Sequence, residues 1–221
     1  VIPATGANDA AVAEYVITAS MMLLRGAFPS RRAMIAGDWP RSALIGGEIS
    51  GRVMGLLGFG NIARAVADRA RSLGMTILAH DPFLAPDDPA WQQSQNCSFS
   101  ALLANADVLS LHVPLTQATR NLIDADSLAQ MKPSAILINT ARGGIADETA
   151  LAYALRRSKL AGAALDVFEQ EPLAAGAAAK FEGLDNILLT PHIAGVSTEA
   201  NIRVSAVTVM NVLNELRSLN G

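Results

Sequence analysis

The stretch Arg52-Val53-Met54-Gly55-Leu56-Leu57-Gly58-Phe59-Gly60-Asn61-Ile62-Ala63, followed downstream by Asp81, decides the fold. Arg52 to Leu57 is a short apolar run of the kind a buried parallel strand carries. Asn61 to Leu73 places Ile62, Ala65, Val66, Ala70 and Leu73 at helical spacing, and Thr76 to His80 reads as a second strand ending at Asp81. The three pieces form one βαβ unit with a G-x-G-x-x-A turn between its first strand and its helix. In such a turn Gly58 permits the tight bend, and Gly60 lets the backbone approach a pyrophosphate. The free N–H groups and dipole of the helix start, from Asn61, hold that anion. A carboxylate at Asp81 suits both hydroxyls of a ribose. Pro82, Phe83 and Leu84 supply no cation for a 2′-phosphate, so the expected ligand is NAD rather than NADP.

Outward from this unit, apolar strands and amphipathic helices alternate. Strands are expected at Asp107 to His112, Ala135 to Asn139, Gly162 to Val167 and Asn186 to Leu189. Helices are expected at Ser100 to Asn105, Asp124 to Met131, Asp147 to Ser158, and from Ser197 to about Leu219. This alternation predicts an α/β fold with a doubly wound parallel sheet of Rossmann type. Pro82 to Ser98 reads as a polar loop, and Gly176 to Ala179 as a low-complexity loop. Upstream, Asn8 or Asp9 caps a helix that runs to about Arg25. Its apolar residues cover nearly the whole circumference, which predicts burial in a core or at a subunit interface. Gly26 to Ser50 reads as an extended arm with a short helix.

Composition narrows the classes of function. With 51% of its 221 residues apolar, the chain has ample material for a core. A net charge of −3 and a pI near 5.6 argue against a nucleic-acid or polyanion partner. Cys97 is the only cysteine, which rules out an intramolecular disulfide and points to a reducing compartment. No metal site is expected. No stretch reaches the roughly 20 apolar residues of a membrane span, and no basic segment opens a signal peptide. The expectation is a soluble cytoplasmic protein. The opening Val1-Ile2-Pro3-Ala4-Thr5-Gly6 has no initiator Met and reads like the middle of a longer chain.

In doubly wound sheets, ligands bind beyond the carboxyl ends of the strands. Three expected strand ends carry polar residues suited to chemistry: Arg142 after the first, Asp166 and Glu171 after the second, His192 after the third. Taken singly, each has a plainer reading. Arg142 reads as a surface cation, Glu171 as a solvated acid, His192 as a structural histidine and Asp166 as a loop cap. Together they suit reduction of a 2-keto acid. Arg142 holds a carboxylate in a two-pronged hydrogen bond and polarises the neighbouring carbonyl. His192 delivers or removes a proton, and Glu171 orients its ring and favours the protonated form. Asp166 is placed to bond a nicotinamide amide. His80 and His112 also end strands but have no acid nearby, so structural roles are expected for both.

Five segments carry a resemblance: Gly58 to Ala63, Leu111 to Arg120, Asn139 to Gly143, Asp166 to Pro172, and Thr190-Pro191-His192-Ile193-Ala194-Gly195. Together they resemble the NAD-binding domain of the D-isomer-specific 2-hydroxyacid dehydrogenase family. The resemblance implies Arg142, Glu171 and His192 as catalytic residues, Asp166 at the nicotinamide and Asp81 at the adenosine ribose. It implies a cofactor pocket lined near Gly58, Gly60, Asn61, Ile62, Val113, Pro114, Thr119, Thr140, Ala141 and His192. Residues from about 8 to 50 resemble the family's dimerisation helix and arm, implying a homodimer. The implied reaction is NAD-dependent hydride transfer between a small 2-hydroxy acid and its 2-keto acid, of the 3-phosphoglycerate, hydroxypyruvate/glyoxylate or sulfolactate type. Glu171 disfavours formate, since formate dehydrogenases of the superfamily carry Gln there. An N-terminal substrate domain of about a hundred residues, an ordinary domain size, has no counterpart in this chain. Residues 1–196 are then the cofactor domain, and 197–221 a helix returning to the absent one. A corepressor-like regulator that senses NAD shares this pattern and is the alternative.

Overall fold

The computed structural model describes residues 4–27 and 30–219. Val1 to Pro3, which open the expected cofactor domain, lie outside them. Helix α1 (Asp9–Arg25) and the short α2 (Ser30–Ile35) precede the βαβ unit of β1 (Val53–Leu57), α3 (Asn61–Ser72) and β2 (Thr76–His80). Then come β3 (Gln95–Asn96), α4 (Phe99–Asn105), β4 (Val108–Leu111), α5 (Ala125–Gln130), β5 (Ile136–Asn139) and α6 (Glu148–Arg156). The chain ends with β6 (Gly162–Leu165), α7 (Ala175–Ala178), β7 (Ile187–Leu189) and the long α8 (Thr198–Leu219).

All seven strands are parallel, in the order β3-β2-β1-β4-β5-β6-β7. The winding reverses between β1 and β4, the switch point at which such sheets open a crevice. Strands β4, β5 and β6 are buried at every position, as strands covered on both faces must be. On one face Leu109, Leu111, Leu137 and Leu165 pack with Leu102, Leu128 and Leu151 from α4, α5 and α6. On the other, Met54, Leu56, Val108, Ile136 and Ile138 pack with Val16 and Ala19 of α1 and with Ala63, Val66 and Ala70 of α3.

One open alternative is settled and two expectations change. The α1 helix buries Val12, Ala13, Val16 and Ala19 against its own domain, so its apolar character is answered by the core. What remains exposed upstream of the sheet is the arm, with Met34, Ile35, Trp39 and Ile45. Second, the polar loop from Pro82 to Ser98 is ordered into a 3₁₀ turn (Pro89–Gln93) and the edge strand β3. Asp88 caps the turn by accepting from the Ala90 N–H, and Trp91 stacks on Phe59 with ring centroids 5.0 Å apart. A strand of two residues is too short to show a period. Third, Gly176 to Ala179 joins α7 and a following 3₁₀ turn, because its alanines favour helix once flanked by packed structure.

One polar staple fixes the bottom of the sheet. Asp107 accepts from the Val53 N–H at 2.8 Å and from Lys132 Nζ at 2.9 Å. Burial alone would raise its pKa. The Val53 N–H and the Lys132 ammonium outweigh burial and hold the carboxyl below the usual range.

Candidate active site

The fingerprint turn has the geometry its residues imply. Gly58 sits at φ +87°, and a Cβ there would lie 2.8 Å from the His112 carbonyl oxygen. Only glycine fits so close to the neighbouring strand end. Gly60 differs: its φ is −76°, open to any residue, and a Cβ there would meet nothing within 4 Å. The protein itself does not require a glycine at that position, whereas a ligand backed against the turn would. No side chain caps the start of α3, so its first N–H groups remain free for an anion. Asp81 braces the turn, Oδ2 accepting from the Phe59 N–H at 2.9 Å and Oδ1 from the Phe83 N–H at 3.0 Å.

A groove runs on from this turn. The starts of α1 and α3 flank it, with Asp9 on one side and Gly60 to Ala63 on the other; His112, Val113, Pro114, Thr140, Ala141 and Arg142 complete the lining. Thr119 is not part of this lining. Its hydroxyl donates to the Pro114 carbonyl at 2.6 Å and accepts from the Thr116 N–H at 2.8 Å, which shapes the loop carrying Val113 and Pro114. Asn139, buried at the end of β5, folds the next turn. Its Oδ1 accepts from the Ala141 N–H at 3.1 Å, and its Nδ2 donates to the Arg142 carbonyl at 2.9 Å. The Arg142 side chain is thereby left exposed at the carboxyl edge of the sheet.

Glu171 and His192 meet beyond β6 and β7. His192 Nδ1 lies 2.8 Å from Glu171 Oε2, and Glu171 Oε1 accepts from the Phe168 N–H at 3.0 Å. The His192 bond foremost, then the Phe168 N–H and the charge of Arg142, hold the Glu171 pKa below its usual value against partial desolvation. An ionised Glu171 fixes the tautomer of a neutral His192, with the proton on Nδ1 and Nε2 facing outward.

His192 sits at φ +57°, a left-handed conformation rare outside glycine. Asp166 imposes it. The His192 N–H donates to the Asp166 carbonyl at 2.8 Å, and the N–H groups of Ile193 and Ala194 donate to the Asp166 carboxylate at 2.8 and 2.7 Å. Thr190 Oγ1 donates to the same carboxylate at 2.6 Å. The Tyr15 hydroxyl, from α1, bonds Thr190 Oγ1 and must be the donor, because the Thr190 proton is already committed. Asp166 is fully buried, and a buried carboxylate needs such donors. Asp166, expected at the nicotinamide amide, thus carries the His192 loop: its Oδ1 accepts two of these bonds and its Oδ2 one.

Two further residues were invisible as site residues in the sequence. Glu148 on α6 is buried, accepts from the Glu169 N–H at 2.7 Å and pairs with Lys180 at 3.0 Å, pinning the segment that presents Glu171. Its partners lie 21 and 32 residues away, beyond any local pattern. Tyr15 falls within the apolar face of a helix, where a hydroxyl gives no signal. Along the sheet order the functional residues then run Asp81, Gly58 to Gly60, Val113 and Pro114, Thr140 to Arg142, Glu171, His192.

The fold and this carboxyl edge define a dinucleotide-binding α/β domain, with the His192–Glu171 pair lining a second cavity beside Phe168, Pro172 and Leu189. The family model described as the D-isomer specific 2-hydroxyacid dehydrogenase, NAD binding domain, matches residues 17–194, and the chain belongs to that family. It is 54% identical over 217 residues to the (S)-sulfolactate dehydrogenase of Chromohalobacter salexigens, covering 98% of this chain and 70% of the relative. It is 38% identical over 216 residues to the hydroxypyruvate reductase of Thermotoga maritima, again covering 70% of the relative. Among solved structures, a glyoxylate reductase from Paecilomyes thermophila superposes with a TM-score of 0.84 at 35% identity, covering 96% of this chain and 62% of that one. The chain thus spans about two thirds of the length of the proteins it matches.

Proposed function

We propose that this chain is the cofactor-binding part of an NAD-dependent dehydrogenase that interconverts a small 2-hydroxy acid and its 2-keto acid. The observation that carries the reading is the 2.8 Å His192–Glu171 pair, which shares the carboxyl edge of the sheet with the groove at the dinucleotide turn. The uncapped start of α3 and the open space at Gly60 fit a pyrophosphate. Gly58 to Ile62, Asp81, Val113, Pro114, Thr140 and Ala141 would hold NAD, with Thr119 shaping the loop beside it. When bound, the cofactor would accept the hydride in the oxidative direction as NAD and return it in the reductive direction as NADH. Asp81, with no cation following it, favours NAD over NADP.

The remaining chemistry belongs to the chain. Arg142 binds the substrate carboxylate and orients the carbon that reacts. In the reductive direction His192 gives a proton to the carbonyl oxygen, and in the oxidative direction it takes one from the hydroxyl. Glu171 stabilises the imidazolium that the oxidative direction leaves behind. Identity to a sulfolactate dehydrogenase puts sulfolactate first among the acids to assay, ahead of glycerate and 3-phosphoglycerate. The relatives named above are dehydrogenases and reductases, which leaves the regulator reading without support.

The exposed arm with Ile35, Trp39 and Ile45 supports a homodimer. Helix α8 leaves Ile202, Val209, Met210 and Leu213 exposed, which supports 197–221 as a segment that packs on a further, substrate-binding part of the protein. No helix among the described residues is long and apolar enough to cross a membrane, consistent with a cytoplasmic enzyme. Steady-state assays of the native protein with NAD and each acid test the proposal. Turnover on at least one is expected, and activity on none of them would overturn it.

A further inference from the structure

Helix α1 seats both ends of the loop that carries His192. At one end the Tyr15 hydroxyl donates to Thr190 Oγ1, 175 residues away in the chain. At the other, Gly195 leaves room for Asn8: a Cβ on Gly195 would lie 2.5 Å from Asn8 Nδ2. Between these two anchors His192 stands at φ +57°. A residue other than glycine keeps a left-handed backbone only where its surroundings over-determine it.

Thr190 is the hub of those surroundings. Its N–H donates to the Leu165 carbonyl at 3.0 Å, and its carbonyl accepts from the His192 N–H at 3.1 Å. Its hydroxyl lies between Tyr15 and the Asp166 carboxylate. A hydroxyl has one proton to give. Turned toward Tyr15, that proton would leave Thr190 Oγ1 and Asp166 Oδ1 facing each other at 2.6 Å, lone pair against lone pair. Donation from Tyr15 turns it toward Asp166 instead. Burial foremost, with the Asp166 charge, pushes the Tyr15 pKa up against the Thr190 bond, so the phenol keeps the proton it donates. The Tyr15 ring packs on the core cluster of α1, α3 and the sheet, as a phenylalanine would. Its hydroxyl is committed to Thr190.

We propose that Tyr15 is a positioning residue for His192: its hydroxyl orients Thr190 toward Asp166 and so fixes the loop that presents the imidazole to the substrate. This rests on His192 being the proton donor and acceptor proposed above.

The test compares Tyr15→Phe and Thr190→Val, singly and together, in the native protein, with Thr190→Ser as the variant that keeps a hydroxyl. Tyr15→Phe should lower kcat about threefold to tenfold, the effect of one lost hydrogen bond on the share of aligned imidazole. NAD affinity, read by calorimetry, should stay at the wild-type value. Thr190→Val should lower kcat at least as far, and adding Tyr15→Phe to it should lower kcat no further, because the two act through one chain of bonds. Thr190→Ser should recover most of the turnover that Thr190→Val loses, and this comparison stands even if Tyr15→Phe does not fold. Hydrogen exchange should quicken over residues 190–196 in Tyr15→Phe and stay unchanged in β4 and β5. Wild-type kcat in Tyr15→Phe would overturn the proposal, as would additive losses in the double variant, a matching fall in NAD affinity, or a Thr190→Ser as poor as Thr190→Val. A wild type that turns over none of the acids would sink the functional reading by itself. Unchanged exchange over 190–196 in Tyr15→Phe would sink the hold of Tyr15 on the loop, whatever the reaction.

Discussion

His192 Nδ1 and Glu171 Oε2 lie 2.8 Å apart although 21 residues separate them in the chain. The carboxyl is held below its usual pKa by this bond first, and by the Phe168 N–H and Arg142 after it. When His192 carries its proton for transfer, its bond to Glu171 is a charge-assisted one, which a Gln amide would not reproduce. In the keto-acid direction the enzyme needs that proton. Glu171→Gln should therefore move the falling limb of the pH–rate profile to lower pH, with activity lost first on the alkaline side. Because the Glu171 pKa is depressed, the pair's contribution to folding is present above the usual carboxylate range and lost as pH falls through the lowered value. Profiles of wild type and variant that overlay would break the pair.

His192 carries a second expectation. His192→Ala in the native protein should lower turnover by about a hundredfold to ten-thousandfold, the contribution of positioned proton transfer. NAD affinity, read by calorimetry, should change little. A variant that retains most of its turnover would remove His192 from the reaction.

Asp81 braces Phe59 and Phe83 and stands where an adenosine ribose would lie. Asp81→Ala should weaken NAD binding and narrow the preference over NADP, since the repulsion of a 2′-phosphate disappears. Equal wild-type affinities for the two cofactors would show that Asp81 does not select between them.

Gly143 packs against the segment that carries Glu171. A Cβ at Gly143 would lie 1.8 Å from the Phe168 carbonyl oxygen, backbone against backbone, with no flexible side chain to yield. Gly143→Ala should destabilise the fold by about 2–3 kcal/mol, in the range of overpacked cores. Thermal and denaturant melts test this. A wild-type melting temperature would mean that the Arg142 turn and the Glu171 segment are free to separate.

The arm offers a test of assembly. Trp39→Glu combined with Ile45→Glu should shift light scattering from dimer to monomer without lowering the melting temperature of the domain, since neither residue belongs to its core. A monomeric wild type at micromolar concentration would end the homodimer proposal.

Much of this protein is local in origin, and that part was legible in its residues. The strands β1, β2, β4, β5 and β6 are apolar runs, and α3 and α6 carry their periods. The fingerprint turn depends on Gly58 and Gly60, whose lack of a side chain is a property of the residue itself. Arg142, Glu171 and His192 were visible because each follows a strand, and a parallel sheet delivers all its strand ends to one edge.

What tertiary structure alone decided are the relations between segments far apart in the chain. That Asp166 also carries the His192 loop became visible only when the N–H groups of Ile193 and Ala194 folded onto its carboxylate. Glu148, Lys180 and Tyr15 became supports of the site only when α6 and α1 docked. Helix α1 had two possible destinations, and packing against α3 chose the core. That His112 Nε2 is buried without a hydrogen-bond partner among the described residues shows only in the folded chain. A hydrogen-bond deficit is a property of the folded surroundings, which no single residue or spacing records.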